Sequence, residues 1–219
     1  MDLNLPPLPP SMAGLPKDQR GYPVPYFVAW FKDGKPSRRG EGEPDFRVVL
    51  PHMPMFAFRN QRCWVCGGFL GRRRVYVIGP MCVVNRVTSE PPSHRECAEF
   101  AAKACPFLIR PRQKRDKKGL PEDRIVPGIS IDRNPGVVAL YEALHAKPFQ
   151  AGDGVLFRLG EPTRVEFYAY GRIATRAEVQ ASIESGYPIL LAMAEKEGAE
   201  AIRELTRMAA AAMCLLPAT

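Results

Sequence analysis

At residues 62–70 the chain reads RCWVCGGFL, and this stretch decides how the middle of the protein folds. Cys63 and Cys66 are separated by two residues and are followed directly by Gly67 and Gly68. Such a pair occurs as metal ligands, as a redox pair at a helix start, or as small apolar residues of a core. The glycines disfavour a helix start and permit the positive φ of a tight metal-binding turn, so they favour the first alternative.

Two further candidate ligands lie downstream, in the stretch SHREC. His94 and Cys97 are three residues apart, a spacing that places both side chains on one face of a helix. Ser93 and Glu96 have the spacing of a capping box, which predicts that a helix begins here with Ser93 as its N-cap. Two Cys and one Cys–His pair form a ligand set typical of structural zinc. The predicted Zn²⁺ ligands are Cys63, Cys66, His94 and Cys97.

The order of these parts resembles the treble-clef zinc fold over residues 62–105: a cysteine knuckle, a β-hairpin predicted over 72–87, and a helix whose first turn carries two ligands. Cys82 lies in the predicted hairpin and is an alternative ligand in place of His94. The pieces CWVCG, VIGPMC, PSHREC and ATRAEVQASIESG also resemble uncharacterised proteins of bacteria and phages. That second resemblance implies no activity.

Treble clefs also form the core of HNH-type nucleases, which require a general-base His on the hairpin and ligands for a phosphate-bound metal. Residues 71–89 contain no His, Asp or Glu, so the resemblance to this class is limited to the metal site. Four protein ligands also leave no open position on the zinc for water, which favours a structural role. We assign no catalytic residue, although an enzyme site in the C-terminal part stays open.

The positive charge of the chain is concentrated around this motif. The 219 residues carry a net charge of +8, and thirteen of the 31 Lys and Arg residues but only four of the 23 Asp and Glu residues lie within 62–118. This concentration indicates an anionic partner, most often nucleic acid, whereas the alternative is a solvated surface whose arginines pair with acidic residues elsewhere. The candidate nucleic-acid contacts are Arg72, Arg73, Arg74, Arg86, Arg110, Arg112, Lys114, Arg115, Lys117 and Lys118.

The function that these features favour is non-catalytic binding of DNA or RNA by a basic face around the zinc. Arg72, Arg73 and Arg74 are predicted on one strand and Arg86 on the returning strand, while the remaining contacts lie on an exposed loop. Trp64 and Tyr76 are candidate stacking surfaces, as in single-strand binding proteins. A protein–protein adaptor, encoded by a phage or mobile element and stapled by zinc, is the alternative.

The wider pattern predicts an α+β fold. Residues 25–32 and 46–50 are predicted to form an N-terminal β-hairpin, with a short helix after it, and residues 137–144 and 154–160 to form strands. The stretch 161–171 is ambiguous between helix and strand. Thr175 and Glu178 predict a capped helix that stops at Gly186, and Pro188 predicts the start of a last helix that reaches about residue 213.

We therefore expect a disordered, proline-rich leader at 1–20, a hairpin and zinc module with its basic loop at 21–120, and a C-terminal α/β region with two terminal helices at 121–219. No stretch reaches the roughly 18–20 apolar residues of a transmembrane helix, and the first residues lack the pattern of a secretory signal. These observations predict a cytoplasmic protein without a membrane partner.

Overall fold

The computed structural model describes residues 5–109 and 136–218. Within these residues the fold combines three antiparallel sheets with six α-helices, which confirms the α+β class. The strands are β1 (Val28–Lys32), β2 (Lys35–Ser37), β3 (Glu43–Val49), β4 (Val75–Ile78), β5 (Val87–Thr88), β6 (Val138–Ala143), β7 (Ala146–Ala151), β8 (Gly154–Leu159), β9 (Pro162–Ala169) and β10 (Arg172–Ile173). The helices are α1 (Met53–Arg59), α2 (Pro80–Asn85), α3 (Arg95–Ala104), α4 (Pro106–Ile109), α5 (Arg176–Glu197) and α6 (Ala199–Met213).

The central sheet has the strand order β10-β9-β6-β4, and β6 is buried along its whole length. Successive side chains of a strand point to opposite faces. Ala139 and Tyr141 accordingly join the main core, which α2, α5 and α6 cover. Val138 and Leu140 point to the other face, where they pack against buried alanines of α3. Because both faces are covered, the strand reads as a continuous apolar run.

Two smaller sheets flank this core. The first has the order β2-β1-β3, which confirms the N-terminal pairing predicted for residues 25–32 and 46–50 and adds β2 to it. The second has the order β5-β8-β7. Strands β6 and β8 and helices α1 and α3 lie where the sequence predicts them, and the ambiguous stretch 161–171 forms β9 and the turn after it.

The hairpin predicted over residues 72–87 is wrong. Strand β4 ends at Ile78, and Pro80 begins helix α2 at a position where proline, which lacks an amide hydrogen, is well suited. Strand β4 pairs with β6, more than sixty residues further along the chain, and β5 pairs with β8. The local pattern shows two short apolar runs, but their partners are distant in sequence.

The predicted break at residues 186–188 is also wrong. Helix α5 continues through Pro188 and ends at Gly198, whose φ of +108° favours glycine. An internal proline costs about 3 kcal/mol. The buried face of α5, which includes Val179, Ile183 and Leu190, runs on both sides of the proline and offsets this cost by packing on the core. The predicted capping box at the start of α5 is confirmed.

Residues 5–20 differ from the disordered leader expected there. Pro10–Met12 form a single 3-10 turn, and Met12 is buried in an apolar cluster with Cys63, Cys97 and Phe100. The predicted boundary between residues 120 and 121 lies outside the described residues, but β4 and β6 come from its two sides and share one sheet. In the part of the chain that the structure describes, no helix has both the length and the apolar character needed to cross a bilayer.

Candidate metal centre

The cysteine pair lies on a short knuckle between α1 and β4. Gly67 has a φ of +76°, and the ring of Tyr26 lies so close that a Cβ on this glycine would be 2.5 Å from it. The turn points backbone N–H groups at the sulfurs: Cys66 donates to Sγ of Cys63, and Gly68 donates to Sγ of Cys66, each at 3.4 Å. These bonds favour thiolates, as a metal site requires.

The second pair lies at the start of α3, although the predicted N-cap is wrong. His94 is the N-cap residue, and Ser93 instead pairs through its backbone with Val75 at the start of β4. The Glu96 carboxylate accepts a hydrogen bond from Ser11 rather than closing a capping box. Because Ser93 pairs with β4, it does not act as the N-cap of α3 that the local sequence pattern predicts.

The four side chains converge on one point. Their ligand atoms all lie within 4.8 Å of one another, and Nδ1 of His94 is 3.3 Å from Sγ of Cys66 and 3.8 Å from Sγ of Cys97. Tetrahedral zinc with Zn–S and Zn–N bonds of about 2.3 and 2.0 Å requires ligand atoms roughly 3.5–3.8 Å apart. The four residues thus lie close enough to hold a metal ion, and their chemistry and spacing fit zinc.

The imidazole is oriented for metal binding. Its Nε2 lies 2.9 Å from the carbonyl oxygen of Phe69, to which it can only donate. The neutral ring then carries its lone pair on Nδ1, the atom that faces the sulfurs. A ligating histidine whose other nitrogen donates to a carbonyl is the usual arrangement in metal sites.

Three thiols at this distance share protons when no metal is bound. Hydrogen bonds from the side chains of Cys66 and Cys97 lower the pKa of Cys63, which is also favoured as a thiolate by the backbone N–H groups of Cys66 and His94. The hydrogen bond to Cys63 raises the pKa of Cys97. A divalent cation bound at this point would replace the shared protons and stabilise all three thiolates.

One group outside the ligand set contacts this centre, and a second lies near it. The hydroxyl of Ser11 lies 3.2 Å from Sγ of Cys97. Arg39 donates to the carbonyls of Val24 and Pro25 and lies over the Tyr26 ring, 5.5 Å from its centroid. Burial lowers the pKa of this arginine, while Tyr26 and Cys66 act in the opposite direction. A Zn²⁺ with three thiolates and one neutral imidazole carries a charge of −1, which a nearby guanidinium partly balances.

Cys82 is not part of this group. It lies in α2 and packs against the main core, and burial raises the pKa of its thiol to about 11. The structure therefore brings His94, and not Cys82, to the other three ligands.

The predicted nucleic-acid contacts are spread more widely than expected. Arg72, Arg73 and Arg74, the arginine triplet, lie in the loop before β4 rather than in a strand, and the first two are exposed. Arg86 is not on a returning strand: it ends α2 with a φ of +53° and forms an ion pair with Glu161. The remaining predicted contacts lie outside the described residues, namely Arg110, Arg112, Lys114, Arg115, Lys117 and Lys118.

Neither aromatic residue proposed from the sequence as a stacking surface is exposed. Trp64 is buried, stacks on Phe27 with ring centroids 4.8 Å apart, and donates to Glu90. Tyr76 is fully buried in the main core. The exposed aromatic residue next to the metal centre is Phe69. The sequence carries a signal for this exposed position, because Phe69 and Arg62 flank the knuckle turn and residues that flank such a turn pair across it.

Comparison of the chain with protein-family models, with curated proteins and with solved structures finds no match. The function proposed below therefore rests on the geometry of the site. Of the parts that resemble a treble clef, the structure contains the knuckle and the ligand-bearing helix, whereas β4 and α2 take the place of the hairpin.

Proposed function

We propose that Cys63, Cys66, His94 and Cys97 bind one Zn²⁺ and that this centre is structural. The observation that carries the proposal is the convergence of four ligand atoms within 4.8 Å. A complete set of four protein ligands is typical of structural zinc, since a catalytic zinc keeps a position for water or substrate. Cys63 and Cys97 are fully buried among apolar side chains. The metal would join two segments of the chain, the knuckle and the start of α3, and it would add its binding free energy to folding.

Replacing one ligand tests this centre. We expect Cys97→Ser to lose the single equivalent of zinc that the wild-type protein retains after dialysis, as measured by inductively coupled plasma mass spectrometry. Cys214→Ser is the matched control, because Cys214 is exposed at the end of α6, outside the group of four. Retention of one equivalent by the Cys97 variant would refute the ligand assignment.

We propose further that the protein binds nucleic acid non-catalytically through the basic surface beside this centre. Two members of the arginine triplet are exposed directly after the knuckle. Within residues 5–109 and 136–218 no member of the triplet has an ion-pair partner, which argues against the alternative in which these arginines neutralise acidic residues of the same chain. Unpaired arginines that cluster on a surface attract phosphate groups.

A salt titration with matched charge changes tests this second part. The probe is fluorescein-labelled 20-nucleotide DNA, single- and double-stranded, and the readout is fluorescence anisotropy from 50 to 200 mM NaCl. We expect replacement of the arginine triplet by glutamine to weaken binding and to reduce the slope of log K against log salt by about 2–3. Replacing Lys32, Lys35 and Arg38, exposed on the N-terminal sheet, removes the same charge and should leave the slope nearly unchanged.

Absence of binding by the wild-type protein at 50 mM NaCl would refute nucleic-acid binding. If both triple variants lost affinity equally, a general effect of net charge would explain the result, and the assignment of the arginine triplet as the binding surface would be refuted. In either case a protein partner becomes the function to test. A nuclease has no support from the site, since residues 71–89 contain no His, Asp or Glu.

A further inference from the structure

The two strands of the knuckle place an arginine and a phenylalanine opposite each other. Arg62 pairs with Phe69 in an antiparallel bridge. The two hydrogen bonds on either side of this bridge are both 2.7 Å long: Cys63 N–H donates to the carbonyl of Gly68, and Leu70 N–H donates to the carbonyl of Gln61. Arg62 and Phe69 form no backbone hydrogen bond with each other. In such a non-hydrogen-bonded pair the Cα atoms are about 4.5 Å apart and the two side chains share a face. The face that bears Arg62 and Phe69 is exposed.

Phe69 is held firmly while its ring stays in solvent. Its carbonyl oxygen lies 2.9 Å from Nε2 of His94, so the backbone of this residue is tied to the metal centre. Phe69 as a whole is 66% exposed, the highest value among the large apolar residues that the structure describes. Because the hydrogen bond to His94 and the pairing with Arg62 hold the backbone, little further ordering is needed when a flat ligand covers the ring.

Three arginines lie near Phe69 along the chain or across the knuckle. Arg62 faces it across the ribbon, and Arg72 follows three residues later, so the Cα of Arg72 lies within about 11 Å of that of Phe69. Arg73 is also exposed. In the described ranges 5–109 and 136–218, none of these three arginines forms an ion pair. An exposed aromatic ring near arginines without ion-pair partners suits a ligand in which flat aromatic groups alternate with phosphate groups.

We propose that Phe69 stacks on an unpaired base of a single-stranded nucleic acid, and that Arg62, Arg72 and Arg73 contact the phosphates beside that base. This inference rests on the proposed nucleic-acid binding and narrows it to single strands. Inside a duplex each base is covered on both faces by its neighbours, so a protein ring can stack only where a base is unpaired. Stacking of this kind is tolerant of sequence, because every base has a flat face.

The test compares two exposed aromatic residues. Phe69→Leu removes the ring and keeps apolar surface, and Phe69→Trp keeps an aromatic face. Tyr170→Leu is the matched control: Tyr170 is 61% exposed and has Arg172 5.8 Å from its ring centroid, but that arginine is paired with Glu178. The probes are labelled dT20 and U20 and a 20-base-pair duplex, with zinc-loaded full-length protein at fixed salt.

We expect Phe69→Leu to weaken binding of dT20 and U20 about ten-fold while changing duplex binding less than two-fold. Phe69→Trp and Tyr170→Leu should bind as the wild type does. All three variants should retain one equivalent of zinc, because the carbonyl of residue 69, and not its ring, contacts His94.

Unchanged binding of dT20 and U20 by Phe69→Leu would overturn the stacking proposal. If the triplet variant still lost affinity in that experiment, the proposed nucleic-acid binding would stand without it. Equal losses for single strands and the duplex would also overturn the single-strand assignment. If the wild type bound none of the three probes, the broader function would fail, and this inference with it.

Discussion

Gly67 is the residue at which the turn of the knuckle and the packing around it are decided together. Its φ of +76° is a conformation that residues with a side chain adopt at a cost of about 1–2 kcal/mol. The Tyr26 ring occupies the space of a missing Cβ at 2.5 Å, and the amide of Tyr26 donates to the carbonyl of Val65 at 2.7 Å. The aromatic residue thus clamps the knuckle from outside, while the sulfurs lie on its inner side.

We therefore expect Gly67→Ala to lower the free energy of unfolding by at least about 2 kcal/mol, from backbone strain and from displacement of the Tyr26 ring. Gly71→Ala is the control, because a Cβ there would meet no atom within 4 Å, and its effect should stay within about 0.5 kcal/mol. Urea unfolding of the zinc-loaded proteins measures both values. Equal stability of the two variants would contradict the clamp.

The four ligands could be predicted from the sequence, because the spacing within each pair and the glycines after Cys66 are local features of the chain. The groups around them could not. Ser11 approaches Cys97 from 86 positions earlier in the chain, and Arg39 lies over the ring of Tyr26, which packs on the knuckle. No local pattern marks a serine or an arginine for such a contact, since each depends on how distant segments pack.

Helix α5 shows a cap whose strength depends on pH. Thr175 and Glu178 form a full capping box, and Arg172 forms an ion pair with the same carboxylate. Hydrogen bonds from the Arg172 side chain and then from the backbone N–H of Thr175 lower the pKa of Glu178 to about 2. A lowered pKa means that this contribution to stability is present above the ordinary value of 4.5 and is lost as the pH falls towards 2.

Glu178→Gln keeps the geometry of the cap and removes the charge. Above pH 5 we expect the variant to be less stable than the wild type by about 0.5–1.5 kcal/mol, since the side chain is partly exposed and water screens the ion pair. The difference should shrink as the pH falls from 4.5 towards 2. Thermal unfolding of both proteins across this range measures it, and Glu195→Gln, an exposed carboxylate of the same helix, is the control. A difference independent of pH would contradict the assignment.

Elements with a strong local signal were predictable, and elements decided by distant partners were not. The sequence alone predicts β1 and β6 from their aromatic and β-branched residues, and it predicts the start of α5 from its capping box. The residues of α2 have an apolar pattern that fits strand or helix, and only the pairing of β4 with β6 excludes the hairpin. Helix α5 passes through Pro188 because of its buried face, which outweighs a local breaker.

In the molecule as a whole, α3 joins the candidate metal centre to the central sheet. Its start carries two of the ligands, and its Phe100 packs in the cluster around them. Its other face, with Ala98 and Ala102, packs on the sheet. At the first residue of the helix, Arg95 forms ion pairs with Glu142 and Glu166 on β6 and β9. Residues from both sides of the expected boundary at 120–121 thus contribute to the contacts of this helix and to the central sheet.

The contact between Ser11 and Cys97 also sets an order of assembly. The 85 residues between them must be synthesised before the two can meet, so residues 5–15 leave the ribosome before the apolar surface that later receives Met12. A metal ion held by the four ligands would close the loop from 63 to 97 first and fix that surface. The earliest segment of the site would then dock only after the later segments that carry the ligands have converged.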